Sequence, residues 1–171
     1  KVHYDTSKLA QWEQVFTQAD KLGIFMHFQL SETESGNANY HDGGNLGVQR
    51  KLFYRELVAR FGHHLGIEWD IGEENNYGTT KRKAFAAYIR SVDPYDHPIT
   101  THCNTNALEE FSGPLLGSAS FAMTAFQVTI NGSALGTAIR SWRDRSDASG
   151  MPWVISVDEP QPIENDLTDE S

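Results

Sequence analysis

The sequence predicts an α/β fold with a parallel sheet, because short apolar runs alternate along the chain with stretches of helical periodicity. The predicted order is α-β-α-β-α-β-(α)-β-α-β, with short connections. No glycine-rich phosphate-binding motif follows a predicted strand, which removes the usual reason to prefer a nucleotide-binding sheet. A (β/α)8 TIM-barrel type, present as a partial barrel of about five strands, fits better, because a complete barrel needs ~250 residues and this chain has 171.

The composition of residues 1–171 is that of a single globular domain, with 39% hydrophobic and 22% charged residues. A formal net charge of −9 argues against a nucleic acid partner, which would need a basic surface. No apolar run approaches the ~20 residues that span a bilayer, so no membrane span is expected. The single cysteine, Cys103, excludes an intramolecular disulfide. Because the sequence lacks an initiator methionine and ends in an acidic run, we expect it to be a piece of a longer chain.

The first predicted helix follows a cluster of capping residues, Asp5, Thr6 and Ser7, and Gly23 ends it. One apolar stripe runs along this helix at three- and four-residue spacing: Leu9, Trp12, Phe16 and Ala19. Residues 24–30 form the first predicted strand, and residues 31–47 form a long loop. Because this loop leaves the carboxyl end of a strand, we expect it to overhang a functional site. A second predicted helix follows with its own stripe: Phe53, Leu57 and Phe61.

Residues 66–75 carry the strongest functional signal in the sequence. Apolar residues alternate here with polar ones, the two-residue period of a strand: Ile67, Trp69 and Ile71. Gly72 frees the backbone where this strand stops, and Glu73, Glu74 and Asn75 follow. In a barrel of parallel strands the carboxyl ends of the strands face the site of chemistry, so a carboxylate there is a candidate acid or base.

The later elements continue the alternation of helix and strand. A third helix begins at Thr79 or Thr80 and ends before Pro94, which cannot continue it. The remaining predicted elements are a strand at 98–102, a short helix at 107–111, a strand at 121–128, a helix striped by Leu135, Ile139 and Trp142, and a strand at 153–157. Asp158 and Glu159 come directly after that last strand, so a second carboxylate pair ends a strand far along the chain.

Two strand ends with carboxylates from distant parts of the chain are typical of a glycosidase, which needs an acid/base and a nucleophile flanking one bond. The residues alone leave open whether Asp158 or Glu159 is the nucleophile. Several other strand-end side chains offer donors or acceptors for sugar hydroxyls: Glu32, Glu73, Asn75, His102 and Gln127. These side chains are equally compatible with sugar binding and with strand ends that bind no ligand.

A zinc site is the competing interpretation of the histidines. His63 and His64 are adjacent, and His102 and Cys103 form a second adjacent pair. Adjacent histidines on an extended or turning segment are expected to point apart, and no pair has a ligand spacing such as H-E-x-x-H. We therefore expect no metal site and no cofactor.

Residues 69–74 and 152–160 resemble the fourth and seventh strand ends of the clan A (β/α)8-barrel glycoside hydrolases, and most nearly those of apiosidase-like and other uncharacterised glycosidase families. In that clan a glutamate ending the fourth strand is the acid/base, and a glutamate ending the seventh is the nucleophile. The resemblance implies Glu74 as acid/base and Glu159 as nucleophile, with Asp158 as the rival. Glu73 stands where many members carry asparagine.

The resemblance implies a retaining glycoside hydrolase that cleaves a poly- or oligosaccharide without a cofactor. The five strand-end side chains named above for sugar hydroxyls would then contact the carbohydrate. The chain would extend from the second helix to the seventh strand of the barrel, and the rest of a full-length chain would supply the remaining strands. A secreted or periplasmic location is implied by the resemblance alone. The alternatives are a non-catalytic carbohydrate-binding barrel relative and a metal-dependent barrel hydrolase.

Overall fold

The computed structural model describes residues 3–32, 36–75, 77–103, 107–129 and 132–160. Helices and strands alternate in these ranges: α1 Thr6–Leu22, β1 Met26–Gln29, α2 Val48–Phe61, β2 Ile67–Asp70, α3 Thr79–Val92, β3 Ile99–Thr100, α4 Leu108–Ser112, β4 Phe126–Val128, α5 Gly132–Ala148 and β5 Val157–Pro160. Three short 3-10 helices add to these: Asn37–Asn39, Asp42–Gly44 and Gly113–Leu115. The chain is therefore mixed α/β, as predicted.

The strands form two small parallel sheets. β1, β2 and β3 are neighbours in that order, and β4 pairs with β5. An isolated parallel bridge between His102 and Ala125 lies between the two sheets, where the Cys103 backbone N–H donates to the Ala125 carbonyl at 3.1 Å. Every strand pair in the described ranges is parallel, which confirms the predicted strand direction.

The core lies between the helices and one face of the first sheet. Phe16 of α1 stacks on Phe61 of α2, with ring centroids 4.8 Å apart, and meets Phe28 of β1 at 5.0 Å. Trp69 of β2 continues this layer at 5.5 Å from Phe28. The alternate residues of β2 face the other way, and Glu68 is as deeply buried as its apolar neighbours. On β2 the second face is therefore buried but charged, whereas His27 and Gln29 of β1 are exposed.

The strands are shorter than predicted, and β5 begins later. The predicted strand at 153–157 fails at its start because the backbone N–H of Trp153 donates to Ser146 Oγ of α5 at 3.0 Å. Trp153 is therefore held against a helix, and Val154 makes only an isolated bridge to Met123. Asp158 and Glu159 consequently lie within β5 instead of following it.

The first helix confirms its predicted capping, since Asp5 Oδ1 accepts hydrogen bonds from the backbone N–H groups of Ser7 and Lys8. Its apolar stripe is narrower than predicted. Phe16 and Ala19 are buried, whereas Trp12 is 51% exposed. No helix among the described residues has the length and apolar character needed to cross a bilayer.

The predicted loop at 31–47 contains two of the 3-10 helices, and residues 33–35 lie outside the described ranges. Arg50 of α2 is 1% exposed and holds the loop through hydrogen bonds to its backbone carbonyls. Its guanidinium donates to the Ala38 carbonyl at 2.7 Å and to the Asn45 carbonyl at 3.1 Å, and it lies 4.8 Å from the ring centroid of Phe85. The loop is thus tied to α2 and α3 by one buried cation.

Asp93 joins the end of α3 to β2. Its Oδ2 accepts from Trp69 Nε1 at 3.0 Å and lies 2.8 Å from His97 Nδ1, and its Oδ1 accepts from the Tyr95 backbone at 3.0 Å. Burial alone would raise the pKa of Asp93, but the hydrogen bonds from Trp69 and His97 outweigh burial and hold it below 3.8. The ionised carboxylate is therefore the form that the fold stabilises.

We expect Asp93→Asn to lower the free energy of unfolding at neutral pH by about 1–3 kcal/mol, since it removes charged acceptors from a buried network. A depressed pKa stabilises the fold above the unfolded-state value and loses this contribution as pH falls through the folded-state value. Wild type should therefore lose more stability than Asp93→Asn when urea unfolding is compared at neutral pH and below pH 3.8. Asp144→Asn, on the exposed face of α5, is the matched control. Equal acid dependence of wild type and Asp93→Asn would contradict this role.

Candidate functional site

The ends of β1 and β2 lie side by side and hold two of the predicted site residues. Glu32 and Glu73 form a parallel bridge, and the Glu73 backbone N–H donates to the Ser31 carbonyl at 2.9 Å. Gly72 has φ +158, and a Cβ there would lie 2.5 Å from Ser31 Oγ. A side chain at this position would push the two strand ends apart. The glycine that follows β2 is therefore required by the close approach of β1.

Glu74 occupies a strained turn directly after this bridge. Its φ is +39, a left-handed conformation that is uncommon for a residue with a Cβ and costs about 1–3 kcal/mol. Asn75 closes the turn, because its Nδ2 donates to the Gly72 carbonyl at 2.5 Å and to Thr101 Oγ1 at 3.2 Å. Asn75 is 0% exposed, so its amide holds the turn from inside. Strain of this kind concentrates at functional sites.

Three more of the predicted residues meet on the second sheet. Gln127 and Glu159 are register partners in β4 and β5, and Gln127 Nε2 donates to Glu159 Oε2 at 2.9 Å. The same oxygen lies 3.6 Å from His102 Nε2. Gln127 and His102 are buried, whereas the Glu159 side chain is 47% exposed. Gln127 therefore fixes one oxygen of an accessible carboxylate, and the buried His102 Nε2 lies nearby without a hydrogen-bond partner among the described residues.

The neighbouring carboxylate, Asp158, has different partners. Its Oδ1 accepts a hydrogen bond from Ser156 Oγ, and its Oδ2 lies 3.4 Å from His27 Nδ1 of β1. The Asp158 side chain is 21% exposed, less than half the exposure of Glu159. The two candidate nucleophiles thus face separate surroundings.

A partly buried charged cluster, which the sequence analysis missed, lies on the face of the strands that points away from Phe28 and Trp69. His27 of β1 contacts Glu68 of β2 through Nδ1, and its Nε2 lies 3.0 Å from Asp70 Oδ2. Asp70 Oδ1 accepts from the backbone N–H groups of Gly72 at 2.9 Å and His102 at 3.2 Å. The available signal was the polar half of the strand alternation, at positions 27, 68 and 70. The cluster connects β1 and β2 to the strand end that carries His102.

The pKa values in this cluster depart from their usual range. Burial alone would lower the pKa of His27, but hydrogen bonds to Asp70 and Glu68 raise it to about 10. Burial raises the pKa of Glu68 against the opposing effect of His27. The imidazole is therefore the cation that these carboxylates share at neutral pH.

The expectation that His63 and His64 point apart is wrong. They lie in the turn after α2, where their ring centroids are 4.1 Å apart and both Nε2 atoms are 3.2 Å from Glu13 Oε1. His64 Nδ1 also lies 2.6 Å from Asp20 Oδ2. His63 and His64 precede β2, whereas Glu73 follows it. The histidine group therefore lies at the other end of β2 from Glu73.

A small cavity of about 130 Å³ borders the strand ends. It is lined by residues that end β1 and begin the following loop: Gln29, Leu30, Ser31, Glu32 and Asn37. Carboxylates and amides beside such a cavity can bind hydroxyl groups, and a pair of carboxylates at strand ends can transfer protons and form a covalent intermediate. A scan against protein-family models, a search of curated proteins and a search of solved structures found no match to this chain.

Proposed function

We propose that this chain is a retaining glycoside hydrolase of the clan A type, which cleaves glycosidic bonds of a poly- or oligosaccharide with two carboxylates. Glu159 is the nucleophile and Glu74 is the acid/base. The observation that carries the proposal is the position of Glu159 on a parallel strand, where Gln127 donates to its Oε2 at 2.9 Å and His102 lies 3.6 Å away. No cofactor takes part in the reaction.

Glu159 suits the role of nucleophile better than its neighbour. A carboxylate that is fixed through one oxygen can present the other to the anomeric carbon of a sugar. Gln127 of β4 fixes Glu159 in this way, and Glu159 is the more exposed of the two acids. Asp158 is engaged with His27 and Ser156 instead.

Glu74 supplies the proton in this proposal. The turn from Gly72 to Asn75 holds it in a strained conformation just beyond β2, beside the paired Glu32 and Glu73. Glu74 protonates the leaving oxygen while Glu159 attacks, and then deprotonates the water that releases the sugar. A retaining pair requires the two carboxyl groups ~5–5.5 Å apart in the substrate complex. Glu32 and Glu73 contact sugar hydroxyls, while Asn75 positions the turn.

The partial (β/α)8 barrel is the second part of the proposal. His27 of β1 and Asp158 of β5 lie 3.4 Å apart. In a flat sheet ordered β1 to β5 the two strands would be separated by four spacings of ~4.8 Å, or ~19 Å, too far for these side chains to meet. Strong curvature of this kind supports a barrel wall. The rest of a longer chain supplies the remaining strands.

Covalent trapping tests the proposal directly. A panel of 2-deoxy-2-fluoro glycosides with good leaving groups should label the purified protein, because the fluorine slows release of the glycosyl-enzyme. Mass spectrometry of the digested protein should place one sugar on Glu159. Asp144→Asn, an exposed carboxylate on α5, should label like wild type, and Glu159→Gln should not label at all.

Two other outcomes assign the site differently. A sugar attached to Asp158 would transfer the role of nucleophile to that residue. Absence of label with every member of the panel, together with retained oligosaccharide binding, would favour the non-catalytic carbohydrate-binding relative. Absence of both would contradict a carbohydrate site altogether.

A further inference from the structure

We propose that His27, Glu68 and Asp158 bind one divalent transition-metal cation, on the face of the strands that points away from Phe28 and Trp69. The three residues come from β1, β2 and β5, and their ligand atoms all lie within 4.8 Å of one another. This inference goes beyond the glycosidase proposal and does not depend on it, since it concerns side chains other than Glu74 and Glu159.

The spacing of the donor atoms suits a shared ion. Ligand atoms on a tetrahedral ion with bonds of ~2.0–2.2 Å lie ~3.4 Å from one another. His27 Nδ1 and Asp158 Oδ2 are 3.4 Å apart, which matches this value, whereas Glu68 Oε1 is in direct hydrogen-bond contact with Nδ1 and would have to move away from it. Small side-chain movements would therefore seat an ion between the three atoms.

The charge of the cluster calls for a cation. Three carboxylates, those of Glu68, Asp70 and Asp158, surround one imidazole. Acidic groups therefore outnumber the one basic group in this cluster. The side chains of Glu68 and Asp70 are 3% and 0% exposed, so water does little to offset this charge. A divalent ion that takes the place of the proton on His27 Nδ1 would offset more of it, since two positive charges replace one.

An unpaired oxygen points to the same conclusion. Glu68 Oε2 is buried and has no hydrogen-bond partner among the described residues. Buried carboxylate oxygens are almost always paired, so an orphan at this depth indicates a ligand that completes the site. Oε2 belongs to the same carboxylate whose Oε1 meets His27, so the whole group is available for one ion.

Asp70 holds the imidazole in the orientation that an ion requires. His27 Nε2 lies 3.0 Å from Asp70 Oδ2, and when an ion replaces the proton on Nδ1, Nε2–H still donates to that oxygen and the Nδ1 lone pair is directed at the ion. Asp70 is itself fixed by the backbone N–H groups of Gly72 and His102. A carboxylate on the far nitrogen of a ligating histidine is the usual support in metal sites.

The ligand types select the ion. One imidazole with two carboxylates suits Zn²⁺ or Mn²⁺, whereas Mg²⁺ and Ca²⁺ favour oxygen ligands throughout. The His27 and Asp158 side chains are 31% and 21% exposed, which provides access from solvent and room for a water ligand.

The group formed by Glu13, His63 and His64 is the rival metal site. Each of its histidines already contacts a carboxylate, since Glu13 faces both of them and Asp20 faces His64. The buried atoms without a hydrogen-bond partner among the described residues include none from these four side chains. The rival site therefore lacks, among the described residues, the unpaired buried oxygen that indicates an ion at His27.

Titration of the chelator-treated, purified protein with Zn²⁺ and with Mn²⁺ tests the proposal, with isothermal calorimetry for both ions and electron paramagnetic resonance for Mn²⁺. We expect one equivalent to bind. Asp70→Asn should weaken binding ~10–100-fold, as loss of a carboxylate supporting a ligating histidine does. Asp158→Asn and His27→Ala should weaken it further, and His63→Ala should bind like wild type.

Circular dichroism of each variant establishes that it is folded. Asp158→Asn is the variant expected to disturb folding least, because the Asp158 side chain is partly exposed to solvent. Absence of stoichiometric binding by wild type would overturn the proposal. Unchanged binding by folded Asp158→Asn, or loss of binding in His63→Ala, would also overturn it. None of these readouts uses glycoside turnover, so a failed glycosidase proposal leaves them intact.

Discussion

Replacing Glu159 with alanine should abolish turnover of every glycoside substrate, because both half-reactions pass through a bond to this carboxylate. Loss of a covalent nucleophile lowers kcat by on the order of 10⁶-fold. The measurement is kcat/KM on aryl glycosides whose leaving groups span a wide range of basicity. All of them should fail alike, since no leaving group can replace the missing carboxylate.

Two comparisons make the Glu159 result specific. Asp144→Asn removes a carboxylate from the exposed face of α5 and should keep wild-type turnover. Gln127→Ala removes the donor to Glu159 Oε2 and should lower kcat while a labelled intermediate still forms on Glu159. A Glu159→Ala variant with more than a tenth of wild-type activity would show that this residue is not the nucleophile.

Local sequence patterns predicted the elements but not all of their ends. The alternation through Ile67, Trp69 and Ile71 and the breaks at Gly23 and Pro94 depend on near neighbours in the chain, and the corresponding elements exist. The start of β5 depends instead on a contact with α5, where Ser146 Oγ accepts a hydrogen bond from the backbone N–H of Trp153. Such a contact joins two elements through the fold, and no local pattern encodes it.

The candidate site divides in the same way. Glu159, Gln127 and His102 were named from strand ends, and the parallel register brings them together. The cluster at His27 was not predicted, because its members are polar residues at alternate strand positions, which are usually solvated in a sheet with one exposed face. Glu68 and Asp70 are buried, and the approach of Asp158 on β5 to His27 on β1 is a long-range property of the fold.

Glu74 shows how local conformation depends on distant residues. Glu74 and its neighbours Glu73 and Asn75 include no glycine, so the local sequence does not predict a left-handed turn, yet the φ of Glu74 is +39. The turn is closed by Asn75, whose amide reaches Thr101 beyond β3. The strained conformation is therefore imposed by the neighbouring strand, which is consistent with a residue held for function.

Glu74→Ala should behave unlike Glu159→Ala, because a general acid–base is needed only where protonation is needed. With an activated leaving group, glycosylation of Glu159 should proceed and the second step alone should be slow, so that a burst of released phenol precedes a low steady rate. With a basic leaving group the first step should fall as well, by ~10²–10⁴-fold. Stopped-flow absorbance on a pair of such substrates separates the two steps.

Added azide provides the decisive part of the Glu74 prediction. Azide is an anion that attacks the glycosyl-enzyme without a general base, so it should restore turnover of the activated substrate and give a glycosyl azide of retained configuration. Glu74→Gly should respond in the same way and fold at least as well, since glycine accepts φ +39 without strain. Wild type should gain little, because its base is intact. Rescue of Glu159→Ala with retention, together with an unresponsive Glu74→Ala, would instead show that the two carboxylates have exchanged roles.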